Sequence, residues 1–306
     1  MELAIFVEGQ AGLTWPRWQR LAEAAERLGY AGLYRSDHLT PPQPPDFAAL
    51  DLWVSLAWLA SHTRRIEFGP LVSPVSFRHP NIMARQAAAV DDLSGGRLTL
   101  GLGAGWQERE HAVNGFELLD LPERFARYEE ALEITTRLLR CDTPSSFHGR
   151  FFQLDGAVLL PRPQRPGGPP ILIGGNGLRR TLPLAARFAD EWNAHNVAVE
   201  RFGELSAHLD DLLCAAGRAP ATVRRSFMTS IIIGRDDADV RRQVAAAGRA
   251  PAELQAKGFL IGTPAELVEQ LGRLAELGAH RVMWQRFDLD DTDTLELMAY
   301  TVLPQL

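Results

Sequence analysis

Lysine is nearly missing from this chain of 306 residues: Lys257 is the only one, so almost all positive charge is arginine. A lysine-bearing phosphate loop needs a Gly-Lys pair, and none occurs. Schiff-base chemistry would rest on Lys257 alone, in an Ala-Lys-Gly setting that offers no desolvation. Cysteine is almost as scarce. Cys141 and Cys214 cannot form a disulfide framework or a multi-thiolate metal site, and they fit a reducing compartment. There is no His-Glu-x-x-His metal motif, no Gly-x-Ser-x-Gly elbow and no Gly-x-Gly-x-x-Gly after the first apolar run, and no metal site is expected. No unbroken run of about 18 apolar residues occurs, which argues against a membrane span. The start, Met1 to Glu8, lacks the basic region and small-residue cleavage site of a secretory signal, so the expected location is the cytoplasm. Acidic residues outnumber basic ones, 38 to 32, for a net charge of -6, a poor basis for nucleic-acid binding.

What is present is an alternation of short apolar runs and helix-period stretches. The pattern predicts strands at Leu3–Val7, Ala31–Ser36, Ile66–Ser73, Arg97–Leu102, Ile171–Ile173, Glu191–His195, Phe227–Ile233 and Arg281–Gln285. Between them it predicts helices, among them Trp15–Leu28 closed by Gly29, one opened by Pro80, and Glu123–Leu139. Pro264–Leu277 carries a capping-box signature in Thr263 and Glu266. Eight strand-helix units imply a parallel sheet, and eight is the number that closes a TIM (β/α)8 barrel. The rival is an open doubly wound sheet, which the missing glycine fingerprint disfavours. We expect one domain over residues 1–306, with a hairpin insertion at about 146–160 and a helical insertion at about 234–262, between strands seven and eight.

In such a barrel the active site gathers residues just past the strands. After the second predicted strand stand Asp37 and His38, a proton carrier beside an acceptor; a helix cap beside a surface histidine accounts for the same pair. After the third, Pro70, Pro74 and Pro80 stiffen the backbone around Leu71 and Ser73. After the fourth, Gly101, Gly103 and Gly105 alternate before Trp106, allowing a flat ring against backbone and an aromatic wall, although close packing uses glycines too. After the fifth, Gly174, Gly175, Asn176 and Gly177 read as leading directly into a helix, whose exposed N–H groups can hold a phosphate; a flexible turn is the alternative. Arg179 and Arg180 follow, either of which could reach an anion.

Taken in order, Ser36-Asp37-His38, Ser73-Pro74-Val75-Ser76-Phe77-Arg78-His79-Pro80, Gly101-Leu102-Gly103-Ala104-Gly105-Trp106, Pro170-Ile171-Leu172-Ile173-Gly174-Gly175 and Asp190-Glu191-Trp192-Asn193 resemble the bacterial-luciferase-like family of flavin- and deazaflavin-dependent oxidoreductases. Ser-Asp-His with Gly-Ala-Gly-Trp is similar to members using coenzyme F420. The resemblance implies a dimeric barrel that holds a ring against a non-prolyl cis peptide, which alignment on Pro74 and Pro80 places at Pro70–Leu71. It implies His38 as proton donor or acceptor, Asp37 as a ring-edge partner, and Ser73, Gly105 and Trp106 near the ring. Gly174, Gly175, Asn176 and Gly177 would surround the phosphate. Trp106 stands where sugar-phosphate dehydrogenases of the family carry an acidic residue.

The expected activity is hydride transfer between coenzyme F420 and a small organic substrate at the barrel mouth. The alternatives are an FMN-dependent monooxygenase and a non-catalytic flavin-binding barrel. For a homodimer, the expected face comprises Leu52, Trp53, Leu56, Trp58, Met83 and Val90.

Overall fold

A computed structural model describes residues 1–306. Its central layer is a parallel sheet rolled almost into a closed barrel. The elements of its first half are β1 (Glu2–Val7), α1 (Trp15–Leu28), β2 (Gly32–Arg35), α2 (Leu52–His62), β3 (Glu67–Pro70), β4 (Ser73–Pro74), α3 (Pro80–Ser94), β5 (Leu100–Gly103), α4 (Glu108–Asn114) and α5 (Leu121–Arg140). A two-stranded hairpin, β6 (Ser145–His148) and β7 (Gln153–Ala157), follows. The second half runs β8 (Ile171–Gly174), α6 (Thr181–Phe188), β9 (Glu191–His195), α7 (Val199–Ala215), β10 (Arg224–Ile233), α8 (Asp237–Ala246), α9 (Pro251–Ala256), β11 (Leu260–Gly262), α10 (Pro264–Glu276), β12 (Arg281–Arg286) and α11 (Asp293–Thr301).

The strand order is β3-β2-β1-β12-β10-β9-β8-β5-β4. The predicted third strand is in fact split: β3 pairs with β2, whereas β4 pairs with β5. The seam between them is stitched by Phe68, whose N–H donates to Arg97 O at 3.1 Å and whose carbonyl accepts from Thr99 N–H at 2.8 Å. Gly69 is what lets the backbones meet there, since a Cβ on it would lie 1.9 Å from the Thr99 carbonyl oxygen.

The barrel strands are buried on both faces, hence the apolar runs of strands such as β1 and β8. In β1, Leu3, Ile5 and Val7 join the large core beneath the helices, whereas Ala4 and Phe6 point into the barrel with Tyr34, Leu71, Leu172, Met228 and Met283. α1 matches its predicted bounds because its ends carry local signals: a proline in the first turn and Gly29 in the left-handed conformation at φ 86°. At the floor of the barrel, Arg281 is wholly buried and bonds Glu2 at 2.6 Å, Glu67 at 2.5 Å and the Tyr34 hydroxyl at 2.5 Å.

Several expectations need correction. The non-prolyl cis peptide is Leu71–Val72, one residue beyond the expected bond. Pro70 still holds its register opposite Arg35, and Leu71 N–H donates to the Arg35 carbonyl, so the chain leaves the ladder only after Leu71. The Gly174–Gly177 segment does not run directly into a helix, because α6 begins at Thr181. α4 was not anticipated, its seven residues being too few to show periodicity. Between β10 and α10 the chain is not wholly helical: β11 pairs Leu260–Gly262 with Ile231–Ile233. Of the expected dimer face, Leu52, Trp53, Leu56, Met83 and Val90 are buried within the chain's own core, and only Trp58 is partly open. No helix is long and apolar enough to cross a membrane.

Candidate active site

A cavity of about 260 Å³ opens at the carboxyl ends of the strands. Its wall draws on most of the staves: Phe6 and Glu8 from β1 and just past it, His38 past β2, Leu71 and Val72 between β3 and β4, His195 from β9, Met228 from β10 and Gln285 from β12. This is the end at which the barrel architecture assembles functional groups.

His38 is held by a residue from another element. Its Nδ1 lies 2.9 Å from Oε2 of Glu110, in the first turn of α4. The other Glu110 oxygen accepts the backbone N–H groups of Leu39 and Thr40, so one buried carboxylate sets both the loop and the ring. A carboxylate only accepts, so Nδ1 bears the proton and Nε2 is the ring atom without a protein partner. Burial alone would lower the His38 pKa. The hydrogen bond and charge of Glu110, with Glu8 and Asp37 farther off, outweigh it and hold the pKa above the ordinary histidine value. Trp106, 60% exposed, stands edge-on to His38 with ring centroids 5.6 Å apart.

Asp37 is turned away from the cavity. It accepts from Ser73 Oγ at 2.6 Å and pairs with the Arg78 guanidinium through both oxygens. Neither Asp37, Ser73 nor Pro70 lines the cavity, whereas Leu71, Gly105 and Trp106 do. The alternating glycines serve close packing as well: a Cβ on Gly101 would lie 2.1 Å from the Pro70 carbonyl oxygen, and one on Gly103 2.6 Å from Val72 Cγ2. They press β5 against the β3–β4 break, which brings Val72 into the wall. Gly105, at φ +84°, passes close to His111. That histidine's Nδ1 meets the Gln107 carbonyl at 2.7 Å and its Nε2 the Ser76 hydroxyl at 2.8 Å.

Among the residues expected around a phosphate, Asn176 is tied elsewhere. Its Nδ2 donates to the His195 carbonyl at 2.7 Å and its Oδ1 accepts the His195 N–H, strapping the end of β9. Gly175 gives its carbonyl to Trp192 Nε1 at 2.9 Å. A Cβ on Gly177 would lie 2.9 Å from Thr181 Oγ1, so the loop and the start of α6 pack tightly. Desolvation in the barrel mouth pulls His195 below the usual histidine value, although its ring is open to the cavity. Glu8, His195 and Gln285 were missed although each stands at or just past a predicted strand, so the strand-end rule applied to the first, sixth and eighth strands would have found them. Glu110 carried no such signal.

A family model described as luciferase-like monooxygenase matches residues 1–257. The chain belongs to this family. Among its relatives, an F420-dependent hydroxymycolic acid dehydrogenase of Mycobacterium tuberculosis is 32% identical over 72% of this chain, which spans 60% of that protein's length. An F420-dependent glucose-6-phosphate dehydrogenase of Microbacterium testaceum is 27% identical, covering 92% of this chain and 90% of its own. An FMNH2-dependent dimethylsulfone monooxygenase of Pseudomonas putida is 28% identical, covering 79% of this chain and 64% of its own. In fold, an F420-dependent secondary alcohol dehydrogenase solved with an F420–acetone adduct superposes with a TM-score of 0.85 at 18% identity, over 99% of this chain and 98% of that one.

Proposed function

We propose that the protein is an oxidoreductase that transfers a hydride between coenzyme F420 and a small organic substrate held at the barrel mouth. The observation that carries this reading is His38, set in the cavity wall on Glu110, with Nε2 left free to exchange a proton. When bound, the deazaflavin would supply or accept the electron pair, and the protein's share is orientation, exclusion of water and proton handling. Leu71, Val72 and the Gly105–Trp106 backbone are the groups proposed to hold the ring. The Gly174–Gly177 loop is proposed for the phosphate through the backbone N–H groups of Asn176 and Gly177, the Gly175 N–H being given to the Asn193 carbonyl at 2.9 Å, with the Asn176 side chain holding the loop against His195. His38 Nε2 would give or take the substrate proton, and Glu110 would stabilise the imidazolium while it carries that proton. Trp106 would cover one side of the reacting groups.

Separate titrations of oxidised coenzyme F420 and FMN, followed by tryptophan fluorescence, test the cofactor. Saturable binding of the deazaflavin is expected; tight FMN binding with no deazaflavin response would overturn the choice. A second reading, an FMN-dependent monooxygenase, draws support from the similarity to the dimethylsulfone enzyme. Oxygen uptake driven by reduced FMN would favour it. His38→Ala separates both from a non-catalytic flavin carrier, since turnover should vanish while cofactor affinity stays. A homodimer is part of the proposal, and a monomeric mass by light scattering would remove it.

A further inference from the structure

The cavity contains a carboxylate for which the scheme above has no use. Glu8 is the first residue past β1, and its two oxygens are held by two amides: Oε1 accepts from Gln285 Nε2 at 2.7 Å, and Oε2 from Gln10 Nε2 at 3.1 Å. Each amide is itself oriented by a serine. Ser36 Oγ takes the Gly9 N–H at 2.8 Å and donates to Gln10 Oε1 at 2.9 Å, which turns the Gln10 NH2 group toward Glu8. Ser230 Oγ donates to Gln285 Oε1 at 3.3 Å with the same effect on the other side. The resulting chain, Ser36–Gln10–Glu8–Gln285–Ser230, spans four staves, and Ser36, Gln10 and Ser230 are buried.

This network aims Glu8 but does not neutralise it. Amides satisfy lone pairs; they bring no positive charge. Glu8 has no salt-bridge partner, and no arginine or lysine lines the cavity. The second wall carboxylate, Glu110, is already engaged with His38 and the loop N–H groups. The charge of Glu8 acts on the two histidines that flank the cavity, His38 and His195. Glu8 is half-buried and faces the cavity without a counter-ion, which a cationic ligand would supply. Two aromatic residues, Phe6 and Trp106, also line the cavity, and aromatic rings are compatible with a cationic ligand.

We propose that Glu8, aimed by Gln10 and Gln285, is the specificity carboxylate of this cavity, and that the substrate class it selects is organic cations bearing a protonated amine or iminium nitrogen. The proposal deepens the oxidoreductase reading and rests on the cavity being the substrate site, although its test does not need the cofactor. Three probes of one shape and different charge serve: benzylammonium, benzyl alcohol and benzoate. They are titrated at pH 7 by calorimetry into the full-length protein, first alone and then with saturating deazaflavin. Benzylammonium should bind at least about tenfold more tightly than benzoate, the discrimination a single fixed charge at contact distance supplies in a partly screened site. Glu8→Gln should erase that preference. Gln285→Leu, which removes an orienting amide and keeps the charge, should reduce it while leaving its sign. Equal affinity for the three probes, no binding of any of them, or a preference that survives Glu8→Gln would each overturn the proposal. A failed cofactor reading would show only in the deazaflavin titration, with the charge preference of the free protein unaffected, so the two failures are told apart.

Discussion

Nδ1 of His38 and Oε2 of Glu110 lie 2.9 Å apart although 72 positions separate them in the chain. One comes from the loop past β2 and the other from a seven-residue helix past β5. The pair therefore exists only once the barrel has closed enough to bring the two rims together.

The pair has a pH signature. Folding raises the His38 pKa above the ordinary histidine value of 6.5, so the folded state holds this proton more tightly than the unfolded chain. Its contribution to stability is full below about pH 6.5 and is lost as pH rises through the higher folded value. Glu110→Gln should lower the His38 midpoint, as removal of a contacting opposite charge does. Histidine ring NMR titration reads the shift, and the pH profile of turnover should move the same way. An unchanged midpoint would mean that Glu110 only anchors the loop.

Arg78 should matter for stability. It is the cation on the buried Asp37 carboxylate, whose side chain is 1% exposed. Arg78→Met strands that carboxylate among Ser73 and the barrel wall. A loss of about 3 kcal/mol or more is expected by urea unfolding, in the range for breaking a buried pair by removing one partner. The double variant Asp37→Asn with Arg78→Met should recover part of it.

At the barrel seam, Gly69→Ala forces a methyl group onto the Thr99 carbonyl, where a Cβ has only 1.9 Å. The obstacle is backbone, which cannot rotate away. Destabilisation of about 1–3 kcal/mol, or failure to fold, is expected by thermal denaturation. The contrasting change, Gly272→Ala in α10, meets nothing within 4 Å and should be neutral or slightly stabilising.

Arg281 supplies a control for the two ends of the barrel. It lies at the start of β12, opposite the cavity, and is the shared partner of Glu2, Glu67 and the Tyr34 hydroxyl. Arg281→Met should cost about 3 kcal/mol in unfolding experiments. Cofactor and probe affinities of the folded fraction should stay at wild-type values, because catalytic and stabilising residues segregate to opposite faces in this architecture.

The legible part of this protein was the part written locally. Short apolar or alternating runs between helix-period stretches marked the eight staves, and α1 was bounded correctly because its proline and Gly29 sit within a few residues of the ends they define. His38 was legible as a wall residue because a strand end is itself a local feature. The break between β3 and β4 was not, since its position depends on which neighbour, β2 or β5, each short piece pairs with. The glycines at positions 101 and 103 read either as room for a flat ring or as close packing. Their actual role, admitting the Pro70 carbonyl and Val72, depends on a strand about 30 residues earlier.

Sequence alone thus determined the alternation of barrel strands and helices, the barrel and the end at which a site would form, because periodicity and caps act over a few residues. Tertiary structure decided the chemistry of that site. It gave Asp37 to Arg78, gave His38 to Glu110, turned Asn176 onto His195, and set Glu8 between two amides with no salt-bridge partner. Apart from the Gln10 amide, which lies on the same loop as Glu8, each of those pairings joins groups from different staves or rims. No local rule selects among such partners; barrel closure does, by setting which groups come within hydrogen-bond distance.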